Sequence, residues 1–179
     1  NHGEVLENMA FTTDQIDSTT NAIKTVTYPH KEIHSGSHYY IEGYTTLGIA
    51  GTLYVKLVTP DSAKWSHFLW EINSGGILTT TLTEDASGGM AGGVSVTPRN
   101  NNRNYPDASG MAIKSGVTVN TGGTIISSAS WGSRAGGGTH SRDDEIVLKQ
   151  NTTYCRAFTS GTASNIVSFK ASWYEHTNK

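Results

Sequence analysis

The chain has 179 residues, a formal net charge of −2 at pH 7 and only 16% charged residues. This length suits one domain that buries a core without disulfides or a structural metal. The balanced charge, with no block of Lys or Arg, argues against a nucleic-acid surface, and no apolar run approaches the roughly 20 residues of a membrane span. A single cysteine, Cys155, excludes an internal disulfide and a cysteine-rich zinc site.

Gly, Ser and Thr make up about a third of the chain, well above ordinary usage. Gly and Ser favour turns, whereas Thr is a good residue for half-buried strands. Aromatic and β-branched residues recur throughout, so the composition does not indicate disorder. The mixture predicts many short strands joined by loops.

The first 20 residues are polar and weakly patterned. They predict an extended N-terminal arm, which is either a frayed terminus or a segment that docks on a neighbouring subunit. Residues 21–179 are then predicted to form a single β-sandwich domain. Its first strand is placed at 21–28, ending at Pro29, because proline has no N–H to donate to a β-ladder.

A second strand is predicted at 31–44, a stretch rich in histidine and tyrosine. In an extended chain His34, His38 and Tyr40 point to the same face, and Gly36 indicates a bulge or a close backbone approach. At about 3.3 Å per residue, the Cα atoms of the two histidines lie about 13 Å apart, too far to share a metal ion. The pair is therefore assigned to packing or subunit contact.

The rest of the chain alternates between apolar and polar residues in short runs bounded by turns. The alternate residues at 66, 68, 70 and 72 should be core, and those at 167, 169, 171 and 173 share one face of the last strand. Two segments are predicted to be irregular, 86–104 and 132–139. A tight turn at Asn151 is predicted to join two paired strands. The further strands are placed at 51–59, 64–72, 77–83, 109–118, 124–131, 144–150, 152–160 and 165–174.

About ten strands at this spacing predict an all-β fold, an antiparallel β-sandwich or jelly roll. No window shows a sustained helical period. No internal repeat of 20–50 residues is present, which argues against a propeller or a β-helix.

Catalytic signatures are weak. Asp143, Asp144 and Glu145 form the one acidic cluster, but neighbouring strand residues face opposite ways and make a poor acid–base pair. Calcium in that turn is a minor alternative, without the spacing of an EF-hand. The glycine-rich segments match neither a nucleophile elbow nor a phosphate-binding loop. We therefore expect no catalytic residue, no metal, no cofactor and no enzymatic activity.

Five aromatic residues could stack on a glycan if they were exposed, although core or interface packing is favoured for each. Rings clustered in a groove would favour glycan binding, whereas rings buried between protomers would favour a structural role. The five are Tyr39, Tyr40, Tyr44, Trp65 and Trp131.

Four blocks of sequence carry a resemblance to a known group of proteins. They are 32–40 (Glu-Ile-His-Ser-Gly-Ser-His-Tyr-Tyr), 97–104 (Thr-Pro-Arg-Asn-Asn-Asn-Arg-Asn), 142–149 (Arg-Asp-Asp-Glu-Ile-Val-Leu-Lys) with 151–154, and 172–176 (Ser-Trp-Tyr-Glu-His). In this order they resemble small virion proteins of tailed bacteriophages that are encoded among head genes. Capsid decoration, or cement, proteins are the most similar.

The resemblance implies a β-sandwich or jelly-roll protein that binds the major capsid protein and stabilises the phage head from its exterior. It also implies a homotrimer. From the charge and hydropathy, neither nucleic acid nor a membrane is expected as a partner. The alternative is a receptor- or glycan-binding module of a head fibre or tail. A polysaccharide hydrolase would need two carboxylates converging in a cleft. The candidate subunit or capsid interface comprises His34, His38, Tyr40, Tyr44, Arg99, Arg103 and Arg142.

Overall fold

The structure, a computed structural model, describes residues 19, 27–132, 136–138 and 144–177. These residues form twelve strands and one short helix, which confirms the all-β prediction. Most of the predicted arm at 1–20 and of the strand at 21–28 lies outside the described residues. The elements are α1 (Tyr28–His34), β1 (His38–Leu47), β2 (Thr52–Val58), β3 (Lys64–Ser74), β4 (Leu78–Glu84), β5 (Gly92–Ser95), β6 (Arg99–Asn100), β7 (Ala112–Val117), β8 (Thr124–Trp131), β9 (Gly136–Gly138), β10 (Ile146–Leu148), β11 (Thr153–Ser160) and β12 (Asn165–Thr177).

The strands make two antiparallel sheets that pack face to face. The first sheet has the order β10-β3-β12-β1-β6, with β9 also pairing β3, and the second has the order β5-β7-β2-β11-β4-β8. Within them, β1-β12-β3-β10 faces β2-β11-β4-β8, and the chain passes between the sheets in the order of a jelly roll. The strands β5, β6 and β7 are inserted between β4 and β8 and widen both sheets beside β1 and β2.

The core lies between the sheets and is rich in aromatic rings. On β3, Phe68, Trp70 and Ile72 are buried, as the alternation predicts. The ring of Phe68 stacks on Trp173 of β12 at 5.4 Å between centroids. Phe158 of β11 reaches across from the second sheet and lies 5.8 Å from the Trp70 ring. Edge-to-face and offset pairs of this kind add to the stabilisation from burial.

A charged side chain is buried within this aromatic core. Arg156 of β11 is only 5% exposed. Its guanidinium carbon lies 5.6 Å from the centroid of Trp70 and 6.0 Å from that of Phe158. Its Nε has no hydrogen-bond partner, and among the described residues no carboxylate pairs with it. Burial lowers the pKa of Arg156 to about 10, because desolvation disfavours the charged form.

The prediction of strand at residue 28 and at residues 31–34 is wrong, because residues 28–34 form helix α1. Pro29 lies in the first helical turn, where the missing N–H has no partner to lose and the fixed φ suits a helix. Gly36, at φ 76°, ends the helix, and the N–H of Ser37 donates to the carbonyl of Glu32 at 3.0 Å. A Cβ at Gly36 would overlap the ring of Tyr105, so the expected close approach occurs at a helix end.

The hairpin predicted around Asn151 is also wrong. The turn is present, with Asn151 at φ 47°, but β10 and β11 belong to different sheets. Strand β10 pairs with β3, whereas β11 pairs with β2 and β4. The N–H of Asn151 instead donates to the carbonyl of Pro60 at 3.1 Å, which ties the turn to the end of β2. The turn therefore carries the chain from one layer to the other.

The two segments predicted to be irregular contain short strands. Residues 86–104 include β5 and β6, and residues 132–139 include β9. Helix α1, the only helix among the described residues, is too short to cross a membrane.

Candidate functional site

Described residues from each of the four sequence blocks meet at one end of the first sheet, where the third block contributes Glu145 beside Tyr174, whereas 151–154 lead into β11 of the second sheet. Residue Tyr40 pairs in register with Arg99, and the side-chain amide of Asn100 donates to the carbonyl of Gly36 at 2.7 Å. In the C-terminal block, the N–H of Glu175 donates to the carbonyl of Ser37 at 3.0 Å. Segments up to 138 residues apart in the chain thus form one contiguous region where β1 begins and β12 ends.

A buried carboxylate fixes the loop that crosses this end. Glu175 accepts hydrogen bonds from the indole N–H of Trp173 at 2.9 Å, from the N–H of Gly110 at 3.1 Å and from the hydroxyl of Ser109. Three donors on one carboxylate satisfy the charge despite its burial. The loop before β7 is therefore held rigidly against β12.

Most of the predicted interface residues lie on the outer face of the first sheet. His38 is buried beside the ring of Tyr174, with centroids 6.4 Å apart. Tyr40 is half-buried, and the Nζ of Lys170 lies 5.6 Å from its ring centroid. Tyr44, further along β1, is 81% exposed. Arg99 is exposed on β6.

The other predicted interface residues lie near α1. His34 ends the helix, so the extended spacing expected between it and His38 is wrong. The carbonyl of His34 accepts from the side-chain amide of Asn102 at 3.3 Å. Arg103, exposed in the same loop, reaches the carbonyl of Asn100 at 3.5 Å. Arg142 lies outside the described residues.

The structure also assembles a polar cluster that the sequence analysis missed. The Nδ1 of His67 lies 2.6 Å from Glu145 Oε1, and the hydroxyl of Tyr174 donates to the same oxygen at 2.7 Å. The Nε2 atoms of His67 and His176 are 2.8 Å apart. We call His67, Glu145, Tyr174 and His176 the histidine cluster. Its members come from three segments, which meet because β3 pairs with β12 on one side and with β10 on the other in these registers.

The available sequence signal was the polar face of β3, on which His67 alternates with the buried residues. Among the described residues, no group of three or more His, Cys, Asp or Glu side chains converges to hold a metal ion.

A groove of about 910 Å³ opens further along the same outer face. Glu42, Lys170 and Glu71 line it as register partners on three neighbouring strands. Lys170 therefore stands between the two carboxylates, whose strands lie about 9.6 Å apart at two strand spacings. Tyr44 and Arg99 complete its polar wall.

The exposed aromatic rings do not gather in one place. Tyr44 pairs with Ser168 and Trp65 pairs with His176, eight positions apart on β12, which is roughly 26 Å along a strand. Tyr39 is buried in the core, and Trp131 packs partly against it. Tyr44 is thus the one ring of the five that combines high exposure with a groove.

The second sheet ends in an open edge. Strand β8 has eight residues and pairs only with β4 among the described strands. It contains neither a charged residue nor a proline. Its side chains are mostly exposed, including Ile125 at 60% and Ile126 at 39%.

The sequence matches no protein-family model, no curated protein and no solved structure. The fold therefore defines the class of this protein, an antiparallel jelly-roll β-sandwich. A function for it can be inferred only from its sequence blocks and its surface features.

Proposed function

We propose that this chain is a structural virion protein of a tailed phage, a capsid decoration protein that binds the major capsid protein and stabilises the head from outside as a homotrimer. The resemblance of four sequence blocks supports this, as does their convergence at one end of the first sheet. Jelly-roll sandwiches recur in viral capsid proteins and in lectins, so the architecture is compatible with the role.

The observation that carries the proposal is the open edge of β8. Monomeric proteins protect sheet edges with charges, prolines or very short strands, because unpaired N–H and C=O groups recruit other chains. An uncharged eight-residue edge with two exposed isoleucines lacks those protections. A neighbouring chain in an assembled shell would pair with this edge and cover its apolar side chains.

The edge can be tested with one substitution and a matched control. Ile125→Lys places a charge on β8, and Val94→Lys places one on β5, the opposite edge of the same sheet, where Val94 is 74% exposed. We expect Ile125→Lys to abolish trimer formation and binding to heads that lack the protein, with Val94→Lys unaffected. Light scattering and co-sedimentation with purified heads measure the two effects.

Two results would contradict the proposal. If Ile125→Lys assembles and binds heads like the wild type, the edge does not carry the contact. If wild-type protein does not bind heads, and particles lacking its gene resist heat as well as normal particles, the decoration role itself is wrong.

A second candidate function is receptor or glycan binding by the groove beside Tyr44. The exposed ring next to carboxylate, amide and guanidinium groups is the combination that sugars bind, through stacking and hydrogen bonds. Tyr44→Ala should then abolish binding to a glycan array or to host cells, and Trp65→Ala, distant on the same sheet, should not. If Tyr44→Ala and Trp65→Ala bound glycans and cells equally well, glycan binding by the groove would be ruled out.

A further inference from the structure

Two histidines from different strands meet ring to ring in the histidine cluster. His67 of β3 and His176 of β12 have ring centroids 4.6 Å apart and Nε2 atoms 2.8 Å apart. Whether these two atoms attract or repel depends on which of the two Nε2 atoms carries a proton.

The hydrogen-bond partners of the two Nδ1 atoms determine the tautomer of each ring. The Nδ1 of His176 lies 3.0 Å from the carbonyl oxygen of Thr177, and a carbonyl only accepts, so this Nδ1 carries a proton. The Nδ1 of His67 lies 2.6 Å from Glu145 Oε1, which also accepts from the hydroxyl of Tyr174. A carboxylate oxygen in that position is an acceptor, so the Nδ1 of His67 carries a proton as well.

A neutral imidazole has one N–H. With both protons on Nδ1, the two Nε2 atoms of His67 and His176 present lone pairs to each other at 2.8 Å. Two lone pairs at that distance repel, so a cation belongs between them, either a shared proton or a metal ion. The carboxylate of Glu145 on the far side of His67 supplies the compensating negative charge.

We propose that His67 and His176 bind a late first-row transition-metal dication, such as Zn²⁺, Ni²⁺ or Cu²⁺, through their Nε2 atoms. Imidazole nitrogen is a preferred ligand for these ions. Metal-binding histidines generally donate the remaining ring N–H to a carboxylate or a backbone carbonyl, and both kinds of acceptor are in place here.

The geometry needs only a small adjustment. At 2.0–2.1 Å from each nitrogen, a tetrahedral ion separates its two ligands by about 3.3 Å, roughly 0.5 Å more than the present distance. His176 lies one residue before the end of β12 and is partly exposed. Water, or a ligand from a neighbouring molecule, would fill the other positions. Two protein ligands imply weaker binding than in a structural four-ligand site.

A second histidine pair provides an internal comparison. His30 and His34 lie four residues apart on α1, with Nε2 atoms 3.0 Å apart. No acceptor among the described residues holds either Nδ1. Each ring can therefore take either tautomer, and one Nε2–H can donate to the other nitrogen without any added cation.

The test uses the full chain after treatment with a chelator. Zn²⁺ alone is titrated calorimetrically at pH 7.5 into the wild type, His176→Ala and the double variant His30→Ala/His34→Ala. We expect one saturable ion per chain in the wild type and in the double variant, and at least a tenfold loss of affinity in His176→Ala. Loss in the double variant with retention in His176→Ala would overturn the assignment.

A wild-type measurement guards against misfolding of the variant. Ring ¹⁵N chemical shifts recorded during the same titration should move for Nε2 of His67 and His176, and Glu145→Gln should weaken the affinity while keeping the fold. No saturable binding to the wild type would also overturn the proposal, because a proton would then occupy the gap. The outcome is independent of head binding, so it stands or falls separately from the decoration role.

Discussion

Replacing the buried Arg156 by methionine is expected to stabilise this protein. The folded environment lowers the pKa of Arg156 from its ordinary value to about 10, because burial disfavours the charged form. At 1.36 kcal/mol per pKa unit, the charged form is disfavoured by about 3 kcal/mol at neutral pH. The cation–π contacts with Trp70 and Phe158 offset about 1–2 kcal/mol of this cost. A thioether of similar length keeps the contacts with both rings and removes the charge.

We therefore expect Arg156→Met to raise the free energy of unfolding by about 1–2 kcal/mol, and the thermal midpoint by about 2–4 °C for each kcal/mol. Urea unfolding at pH 7 measures the first quantity and calorimetry the second. The control is Arg99→Met on the exposed strand β6, which should change stability by less than about 0.5 kcal/mol.

The same substitution has a signature in its pH dependence. Below about pH 10 the arginine is protonated in both folded and unfolded states, so the cost is constant. As pH rises above about 10, the folded state releases the proton before the unfolded state does, and the energetic cost of the buried charge disappears. The stability difference between variant and wild type should thus be flat from pH 6 to 9 and narrow above 10. A variant destabilised by more than about 1 kcal/mol at pH 7 would refute the reasoning, because the guanidinium would then be well paired.

Two further predictions concern the end of the first sheet. Gly36→Ala should destabilise by about 2–3 kcal/mol in urea unfolding, because it adds a clash with Tyr105 to the strain of a positive φ. Gly116→Ala has the strain alone, since no atom lies within 4 Å, and should cost about 1 kcal/mol; equal costs would contradict the clash. Glu175→Gln should cost about 1–3 kcal/mol in the same assay, because the new amide faces three donors. Glu42→Gln, at an exposed position, serves as its control. If Glu175→Gln left the free energy of unfolding unchanged, the carboxylate would not be needed for stability.

Much of the strand pattern could be predicted from local sequence. Strand β8 has the predicted bounds, and β3 buries the predicted face, because alternation with a period of two indicates which side of a strand meets the core. The alternation does not depend on which strands pair, so it can be recognised from the sequence alone.

The errors arose where a local signal has two structural meanings. A proline such as Pro29 can end a strand, yet it suits the first turn of a helix equally well. A tight turn such as that at Asn151 is typical of a hairpin, yet the same positive φ occurs here where the chain crosses between the two sheets. Only the packing of the two layers distinguishes these outcomes.

The sequence by itself determined the all-β class and the inward face of β3, because both depend on neighbours along the chain. The need for glycine at position 36 depends on the ring of Tyr105, which only the tertiary structure brings there. The tertiary structure decided the jelly-roll order, the burial of Arg156 and the meeting of His67 with His176. Those two histidines are 109 residues apart, and only the register of β3 against β12 brings their rings together. Strand register depends on the whole core, so no local pattern could have located that pair.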